Sequence, residues 1–272
     1  MLRLRHVLCR LNIMQLVTWN INSIRARLGQ LGQWLEHHRP DVLCLQELKC
    51  QEDQFPRDVL ESAGYNVILR GQKSYNGVAI ASRFPMDLID DQLAGDESDE
   101  QARFLDVVVA SDQPFRLVNI YAPNGNPAPG DKYAYKLAWN DRLHAITQQM
   151  LSEEGDAIVT GDFNIIPDDQ DVHNPSGWAD DALFRPESRA FYHRLIADGW
   201  TDCLAMSRPE AGVYTFWDYQ GGAFPKNHGI RIDHILSSPS MTDKLLKADV
   251  DKDARGMEKP SDHAPVSAWF KD

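Results

Sequence analysis

Cysteine is scarce in this chain, and its few cysteines are scattered. Only Cys9, Cys44, Cys50 and Cys203 occur among 272 residues, with no Cys-x-x-Cys pair. An even count permits disulfides, but isolated cysteines in a large chain are more typical of a reduced intracellular protein. Cys44 lies inside the apolar run DVLCLQ and is expected in the core. We therefore expect free thiols and a cytoplasmic protein.

Long apolar runs are also missing. No stretch approaches the roughly 18 apolar residues of a membrane span, so we expect no membrane association. The opening MLRLRHVLCRLNI is basic, but its apolar run is too short and interrupted for a signal peptide. We interpret residues 1–13 as an N-terminal extension that is either not native or disordered. A transit peptide and a true start at Met14 are the alternatives, because a strand pattern begins directly after Met14.

The chain lacks an excess of positive charge. The chain has 28 Lys and Arg residues and 40 Asp and Glu residues, which gives a net charge of −12. Proteins that bind phosphate backbones are usually basic, so this total lowers the expected non-specific affinity for nucleic acid. DNA is not excluded, because a metal site concentrates carboxylates that bound cations offset. The total charge also says little about one face of the protein.

No low-complexity linker interrupts the sequence, which favours a single domain over residues 14–272. Apolar runs and turn residues predict strands at 15–19, 42–45, 65–69, 77–81, 104–109, 115–121, 157–160, 215–217, 230–236 and 264–270. Helical spacing predicts helices at 24–38, 133–151 and 187–197, and the polar segment 167–186 predicts a surface loop. Strands outnumber helices and many are joined as hairpins. This favours two packed sheets with helices outside them.

Polar side chains recur where the predicted strands end. The set is Asn20, Asn22, Glu47, Tyr121, Asn124, Asp162, Asn164, Asp233, Asp262 and His263. Each member alone is commonly a turn residue or a core residue with a satisfied polar group. Because so many of them stand at strand exits, we expect them to meet at one edge of a sheet layer.

The chemistry of this set suits a hard cation. Glu47, Asp262 and Asn20, with Asp162 as a further candidate, offer only oxygen atoms, which Mg²⁺ prefers. Zinc normally recruits more His or Cys. His263 adds a nitrogen that can protonate near neutral pH, and Asp233 can hold that imidazole in one tautomer.

Several longer motifs carry a family resemblance. TWNINSIRARL, CLQELK, YNGVAIASR, NIYAPNG, TGDFNI, TFWDY, GIRIDHIL and EKPSDHAPV occur in the order and spacing of the exonuclease III family of abasic-site endonucleases. The chain resembles that family from Met14 to its end. GDFN and SDHAP mark only the wider endonuclease/exonuclease/phosphatase superfamily, whereas WNINSIRAR, LQE-x-K and the TFWDY-to-IRID block are more specific. The resemblance implies a four-layer α/β sandwich, with two packed mixed β-sheets flanked by helices.

The resemblance also implies catalytic roles. Asp162 activates or orients the attacking water, and Asn164 and His263 contact the scissile phosphate. Asp233 orients His263, and Tyr121 stabilises the developing charge. In-line displacement at phosphorus needs such a positioned water and charge neutralisation on the non-bridging oxygens.

A Mg²⁺ or Mn²⁺ site follows from the same resemblance. Glu47 is its principal ligand, supported by Asn20 and Asp262. Asp162, Asn164 and His263 complete the candidate metal-binding set.

Two further groups are expected to contact DNA. Phe216, Trp217, Ile230 and Ile232 match the family's pocket for a flipped abasic sugar, which is cheaper to flip than a paired nucleotide. Some relatives carry Trp at the position of Ile230. The sequence therefore leaves open the balance between endonuclease and exonuclease activity. The candidate contacts to the DNA backbone are Asn22, Arg25, Lys49, Lys73, Asn124, Lys132 and Lys136.

The implied function is hydrolysis of phosphodiester bonds 5′ to abasic sites in duplex DNA, with 3′-5′ exonuclease and 3′-end-trimming activity. We expect a monomer whose partner is duplex DNA with abasic or blocked 3′ ends. One alternative is a superfamily phosphodiesterase or phosphatase that acts on RNA or small phosphoesters; the TFWDY and RIDHIL motifs argue against it. Another is a catalytically inactive DNA-binding module, which the full set of acids and His263 disfavours.

Overall fold

The computed structural model describes residues 13–272. Its strands are β1 (Ile13–Asn20), β2 (Val42–Gln46), β3 (Asn66–Arg70), β4 (Val78–Ser82), β5 (Met86–Asp90), β6 (Phe104–Val109), β7 (Phe115–Tyr121), β8 (Ala157–Asp162), β9 (Thr201–Asp202), β10 (Asp233–Ser237), β11 (Leu245–Val250) and β12 (Val266–Lys271). Its α-helices are α1 (Leu28–His38), α2 (Arg57–Glu61), α3 (Asp131–Ser152), α4 (Pro175–Trp178), α5 (Pro186–Asp198), α6 (Cys203–Ser207), α7 (Pro239–Thr242) and α8 (Lys252–Arg255). The predicted N-terminal extension lies outside the described residues except for Ile13, which begins β1.

Two mixed six-stranded sheets pack face to face. The first has the strand order β11-β12-β1-β2-β4-β3 and the second the order β5-β6-β7-β8-β10-β9. Buried side chains from both sheets, such as Val42, Leu105 and Ile158, form the core between them. Helix α1 packs on the outer face of the first sheet, and α3 and α5 pack on the outer face of the second. The predicted four-layer sandwich is confirmed.

Strand direction brings the polar strand ends together. In the parallel pair β1–β2, Asn20 lies opposite Gln46, directly before Glu47. In the parallel pair β7–β8, Tyr121 lies opposite Asp162. Strand β10 runs antiparallel to β8 and begins at Asp233, again opposite Asp162. Because parallel strands end at the same edge, both sheets present their polar residues at one end of the sandwich.

Some predicted elements differ from those observed. The helix predicted at 24–38 begins only at Leu28, because residues 24–27 form a turn and Arg27, with φ −111° and ψ 15°, departs from helical geometry. The strand predicted at 215–217 forms only isolated bridges, from Phe216 to Ile230 and His263. The segment 167–186 contains α4 and a 3₁₀ turn. Strands β5 and β11 were not predicted, because they are largely exposed edge strands without an apolar run.

The described cysteines are free, as the composition predicts. Cys44, Cys50 and Cys203 are buried and free, whereas Cys9 lies outside the described residues. Burial raises the pKa of Cys44 above its ordinary value, so that thiol stays protonated. Between residues 13 and 272, no helix has the length and apolar character needed to cross a bilayer.

A buried polar bridge joins the two sheets beneath the strand ends. The Gln46 amide nitrogen donates to Asn119 Oδ1 at 2.7 Å and to Thr18 Oγ1 at 2.9 Å. The Asn119 amide in turn donates to the main-chain oxygens of Leu45 at 3.1 Å and Ala79 at 2.9 Å. Asn119 belongs to β7 in the second sheet, whereas its partners belong to the first. Since buried polar groups need partners, this contact specifies how the sheets align.

We predict that Asn119→Leu lowers the free energy of unfolding by about 3 kcal/mol or more, because it removes three buried hydrogen bonds between the two sheets. The matched control is Asn66→Leu, at an exposed position on β3, which should cost less than about 1 kcal/mol. Urea unfolding of both variants measures the difference. Equal destabilisation by the two substitutions would show that the bridge adds nothing.

Candidate active site

Three titratable side chains meet where the two sheets end. Glu47 follows β2, Asp162 ends β8, and His263 precedes β12. One ligand atom from each lies within 4.8 Å of the others. Glu47 adopts a positive φ of 53°, and Asn164 adopts one of 51° just after Asp162, so both turns bend sharply at the strand exits. The arrangement suits a divalent cation, because two carboxylates and an imidazole converge on one point.

Asn20 connects the two acids. Its Nδ2 donates to Glu47 Oε1 and to Asp162 Oδ2, both at 2.9 Å, and its Oδ1 accepts the main-chain N–H of Asn22 at 3.0 Å. In this orientation Asn20 stabilises the carboxylates and turns its own oxygen away from them. Glu47 also pairs with Lys49 at 2.7 Å. Burial would raise the pKa of Glu47, but Lys49 and Asn20 outweigh it and lower that pKa.

A second acid holds the histidine. Asp233 Oδ2 accepts from His263 Nδ1 at 2.9 Å, and His263 Nε2 lies 3.9 Å from Asp162 Oδ2. Burial would lower the pKa of His263, but the Asp233 carboxylate outweighs it and raises that pKa to about 10. Burial, assisted by Asp233, raises the pKa of Asp162 to about 7. These buried carboxylates crowd one another, and a bound cation would relieve their repulsion.

Thr215 completes this chain of contacts and was missed in the sequence. Its hydroxyl donates to Asp233 Oδ2 at 2.6 Å and accepts the N–H groups of Ile232 and Asp233, each at 3.1 Å. It therefore fixes the carboxylate that fixes His263. The only sequence signal is a hydroxyl residue just ahead of the aromatic pair in TFWDY.

Tyr121 ends β7, and two asparagines lie on the turns that follow β7 and β8. Tyr121 is half-buried; burial, with Glu47 and Asp162 adding to it, raises its pKa well above the ordinary value. Its hydroxyl therefore stays protonated and can donate a hydrogen bond. The Asn124 amide donates to Asn164 Oδ1 at 3.3 Å, and the Asn164 main-chain N–H donates to Asp162 Oδ1 at 2.8 Å.

Arg103 is another functional candidate that sequence reasoning missed. Its guanidinium lies 4.8 Å from the centroid of the Tyr121 ring and donates to the Tyr121 main-chain oxygen at 3.0 Å. The contact holds the tyrosine ring in place and keeps a positive charge near it. Nothing in its sequence neighbourhood, QARFL, distinguishes this arginine from an ordinary strand-edge residue.

Asp262, Asn22 and Lys49 form the outer side of the site. Asn22 Nδ2 donates to Asp262 Oδ1 at 2.9 Å, and Lys49 Nζ donates to Asn22 Oδ1 at 2.6 Å. Asp262 thus lies beside the cluster of Glu47, Asp162 and His263 rather than within it. The predicted catalytic and metal-binding residues are all brought to one end of the sandwich.

An apolar wall adjoins His263. The Phe216 ring is half-buried and meets the His263 ring edge-on, with centroids 5.0 Å apart. Ile230 and Ile232 are 1% and 3% exposed and pack behind Phe216 in one apolar cluster. The expectation that Trp217 shares this wall is wrong. Trp217 is fully buried on the opposite side of the chain, because successive residues of an extended segment point to opposite faces.

Arg231 anchors the segment that carries the two isoleucines. It is buried and pairs with Asp171 at 2.8 Å and with Asp202 at 2.5 Å. Its main-chain N–H also donates to the Asp171 oxygen at 2.9 Å. An unpaired buried arginine would be strongly unfavourable, so these contacts hold Ile230 and Ile232 in register.

The predicted basic contacts divide into exposed and buried residues. Arg25, Lys73 and Lys132 are exposed, and Lys49 is half-buried. The prediction that Lys136 contacts DNA is wrong, because this lysine is fully buried. Its Nζ donates to main-chain oxygens beneath the site, and burial lowers its pKa to about 7.

Comparison with known proteins agrees with this geometry. The sequence pattern of the endonuclease/exonuclease/phosphatase family matches residues 17–263. Exodeoxyribonuclease III from Haemophilus influenzae is 35% identical over 271 residues, which cover 95% of this chain and 100% of that protein.

Two solved structures resemble the fold closely. An AP endonuclease from Archaeoglobus fulgidus superimposes with a TM-score of 0.90 at 34% identity, covering 95% of this chain and 100% of that one. A 3′ phosphatase from Neisseria, solved with a product DNA hairpin, superimposes with a TM-score of 0.90 at 38% identity, covering 94% and 99%.

The fold and the site define a hydrolase of phosphoesters, in which acids, amides and one histidine converge at the ends of two packed sheets. This chain belongs to the endonuclease/exonuclease/phosphatase family and, within it, to the exonuclease III branch of nucleases.

Thr215→Val should lower kcat for phosphodiester hydrolysis about tenfold, because it frees the carboxylate that orients His263 while keeping the side-chain shape. Thr160→Val is the matched control, since Thr160 is also buried but donates to the His234 main-chain oxygen. Steady-state kinetics on both folded variants makes the comparison. If both lower kcat equally, the Thr215 hydroxyl has no special role.

Proposed function

We propose that this chain is a DNA-repair nuclease that hydrolyses phosphodiester bonds 5′ to abasic sites in duplex DNA. It also acts on 3′ ends, as a 3′-5′ exonuclease and as a 3′-phosphatase or phosphodiesterase. The observation that carries the proposal is the convergence of Glu47, Asp162 and His263 beside the apolar wall of Phe216. The names of the similar proteins support DNA as the substrate.

We assign Mg²⁺ or Mn²⁺ as the cofactor, because carboxylate oxygens predominate in the cluster. Glu47 and Asp162 are the nearest oxygen donors, and His263 and Asp262 border them. When bound there, such an ion supplies positive charge to the non-bridging oxygens of the phosphate. Asn20 keeps both carboxylates aimed at this position through its two hydrogen bonds.

The remaining groups are arranged for attack by water. Asp162 accepts or orients the proton of the water, since its carboxylate lies between the Glu47 and His263 groups that flank this position. His263, held by Asp233, directs Nε2 towards the phosphate. Asn164 keeps one amide N–H beyond its bond to the Ala122 oxygen, and it can donate to the same phosphate. The Tyr121 hydroxyl stabilises charge that develops during the displacement.

Substrate choice depends on the apolar wall. The side chains that contact the phosphate do not distinguish one phosphodiester from another. Selectivity between substrates therefore depends on which nucleotide fits beside these side chains. A baseless sugar can rest against Phe216, which is backed by Ile230 and Ile232, whereas an attached base needs more room. An abasic nucleotide also loses no base pair when it flips out of the duplex.

Duplex binding is assigned to exposed basic groups around this end of the sandwich, namely Arg25, Lys73 and Lys132, with Lys49 and Asn22 nearer the phosphate. Residues 14–272 are proposed to act as one catalytic unit and as a monomer. A cytoplasmic location is consistent with the free thiols of the described cysteines.

The defining experiment is cleavage of a labelled duplex with one abasic analogue, with and without EDTA. The proposal expects metal-dependent incision 5′ to the lesion, leaving a 3′-hydroxyl, and shortening from 3′ ends. A 3′-phosphorylated primer, an RNA duplex and a small phosphomonoester serve as parallel substrates. Faster turnover of the RNA or the small phosphoester would overturn the assignment to DNA.

Glu47→Gln should lower the cleavage rate at saturating metal by about 100-fold or more, because it removes a negatively charged ligand while retaining the shape. The metal concentration for half-maximal rate should rise about tenfold or more. Glu36→Gln, on the exposed side of α1, is the control and should leave both values unchanged. A Glu47→Gln enzyme with the wild-type metal titration contradicts the ligand assignment.

Phe216→Ala should reduce the ratio of kcat/KM for abasic duplex to kcat/KM for intact duplex by about tenfold, since an aromatic contact is worth about 1–3 kcal/mol. Phe224→Ala removes another half-buried phenyl ring, one that packs on Trp217, and should preserve the ratio. If Phe216→Ala slows both substrates by the same factor, the wall does not discriminate between them.

A further inference from the structure

Lys136 is an unusual lysine because its amine is buried beneath the site. The residue lies near the start of α3 and is fully buried. Its Nζ donates to the Pro123 main-chain oxygen at 2.9 Å and to the Asn164 main-chain oxygen at 2.7 Å. Burying an amine is costly, and an apolar side chain would fill the same space without that cost. A packing role alone therefore does not account for a lysine here.

The two acceptors belong to different turns. Pro123 lies in the turn that follows β7 and carries Asn124, whereas Asn164 lies in the turn that follows β8. The two asparagine side chains meet, with Asn124 Nδ2 donating to Asn164 Oδ1 at 3.3 Å. Lys136 is thus hydrogen-bonded to the main chain of both turns that carry these asparagines.

Gly125 leaves room for this arrangement. A Cβ atom at Gly125 would lie 2.7 Å from Lys136 Cδ and 3.3 Å from Lys136 Cβ, and Gly125 has a φ of +91° that side chains disfavour. The turn can therefore close over the lysine stem only because this position has no side chain. An amine has two N–H groups and an ammonium has three, so either form can donate to both carbonyls.

We propose that Lys136 is a positioning residue, which joins the Asn124 and Asn164 turns and so sets the spacing of two amides, that of Asn164 at the scissile phosphate and that of Asn124 at the DNA backbone. The inference rests on the proposed nuclease function for its kinetic consequence only. The joint between the two turns consists of the hydrogen bonds of Lys136 and does not depend on the proposed function.

The test compares Lys136→Met, which keeps length and volume without a donor, with Lys136→Arg, which keeps donors. Lys244→Met is the matched control, because it removes a lysine paired with Asp156 at the far end of β8. Hydrogen exchange is measured for residues 122–126 and 162–165. Single-turnover rates are measured on abasic duplex, and dissociation constants on the same duplex in EDTA.

For Lys136→Met we expect faster exchange in both turns and a cleavage rate reduced about 10- to 100-fold, because small misplacements of positioned groups slow chemistry strongly. Duplex affinity should stay within about threefold of wild type. Lys136→Arg should recover part of the rate, and Lys244→Met should match wild type in all three measurements.

The proposal is overturned if exchange rises in neither turn or in only one, or if the loss lies in duplex affinity rather than in rate. Should Lys136→Met fail to fold, Lys136→Gln takes its place with the same expected and contrary results, since its amide is too short to reach both carbonyls. If the wild-type protein itself does not cleave abasic duplex, the proposed function fails, while the exchange data still decide whether the joint exists.

Discussion

The structure depends on one side-chain amide that holds two carboxylates from different sheets. Asn20 ends β1, and its Nδ2 reaches both Glu47 in its own sheet and Asp162 in the other. Without that donor, the half-buried Glu47 and the buried Asp162 would repel each other across the junction of the sheets. The contact forms only when β1 and β2 are in register and the sheets are aligned, which the buried bridge through Asn119 ensures. The hydrogen bonds of Asn20 thus belong both to the contact between the sheets and to the site.

Three cationic side chains support the site from beneath or beside it. Buried Arg231 pairs with two acids to hold the segment behind Phe216, buried Lys136 joins two turns, and Lys49 pairs with Glu47. Exposed cations such as Arg25, Lys73 and Lys132 still remain available for the duplex backbone despite the acidic total.

Much of the fold was accessible from sequence, for a physical reason. Strands such as β2 and β8 are buried on both faces, so their residues are nearly all apolar and stand out in the chain. The exposed edge strands β5 and β11 carry no such pattern, because solvent covers one side of them. The start of α1 was also misplaced, because the main-chain N–H groups of Ser23 and Ile24 donate to the Glu47 and Leu48 oxygens after β2, and local spacing does not show such contacts.

By itself, the sequence determined which residues could form the site, because acids and amides directly after apolar strands are visible without coordinates. Glu47 and Asp162 follow this rule. Only the tertiary structure decided which polar and aromatic groups support them. Thr215 gained its role by packing against Asp233, Trp217 turned into the core, and Lys136 turned inward beneath Gly125. Such outcomes depend on which face of a segment meets its neighbours, and residues distant in sequence determine that face.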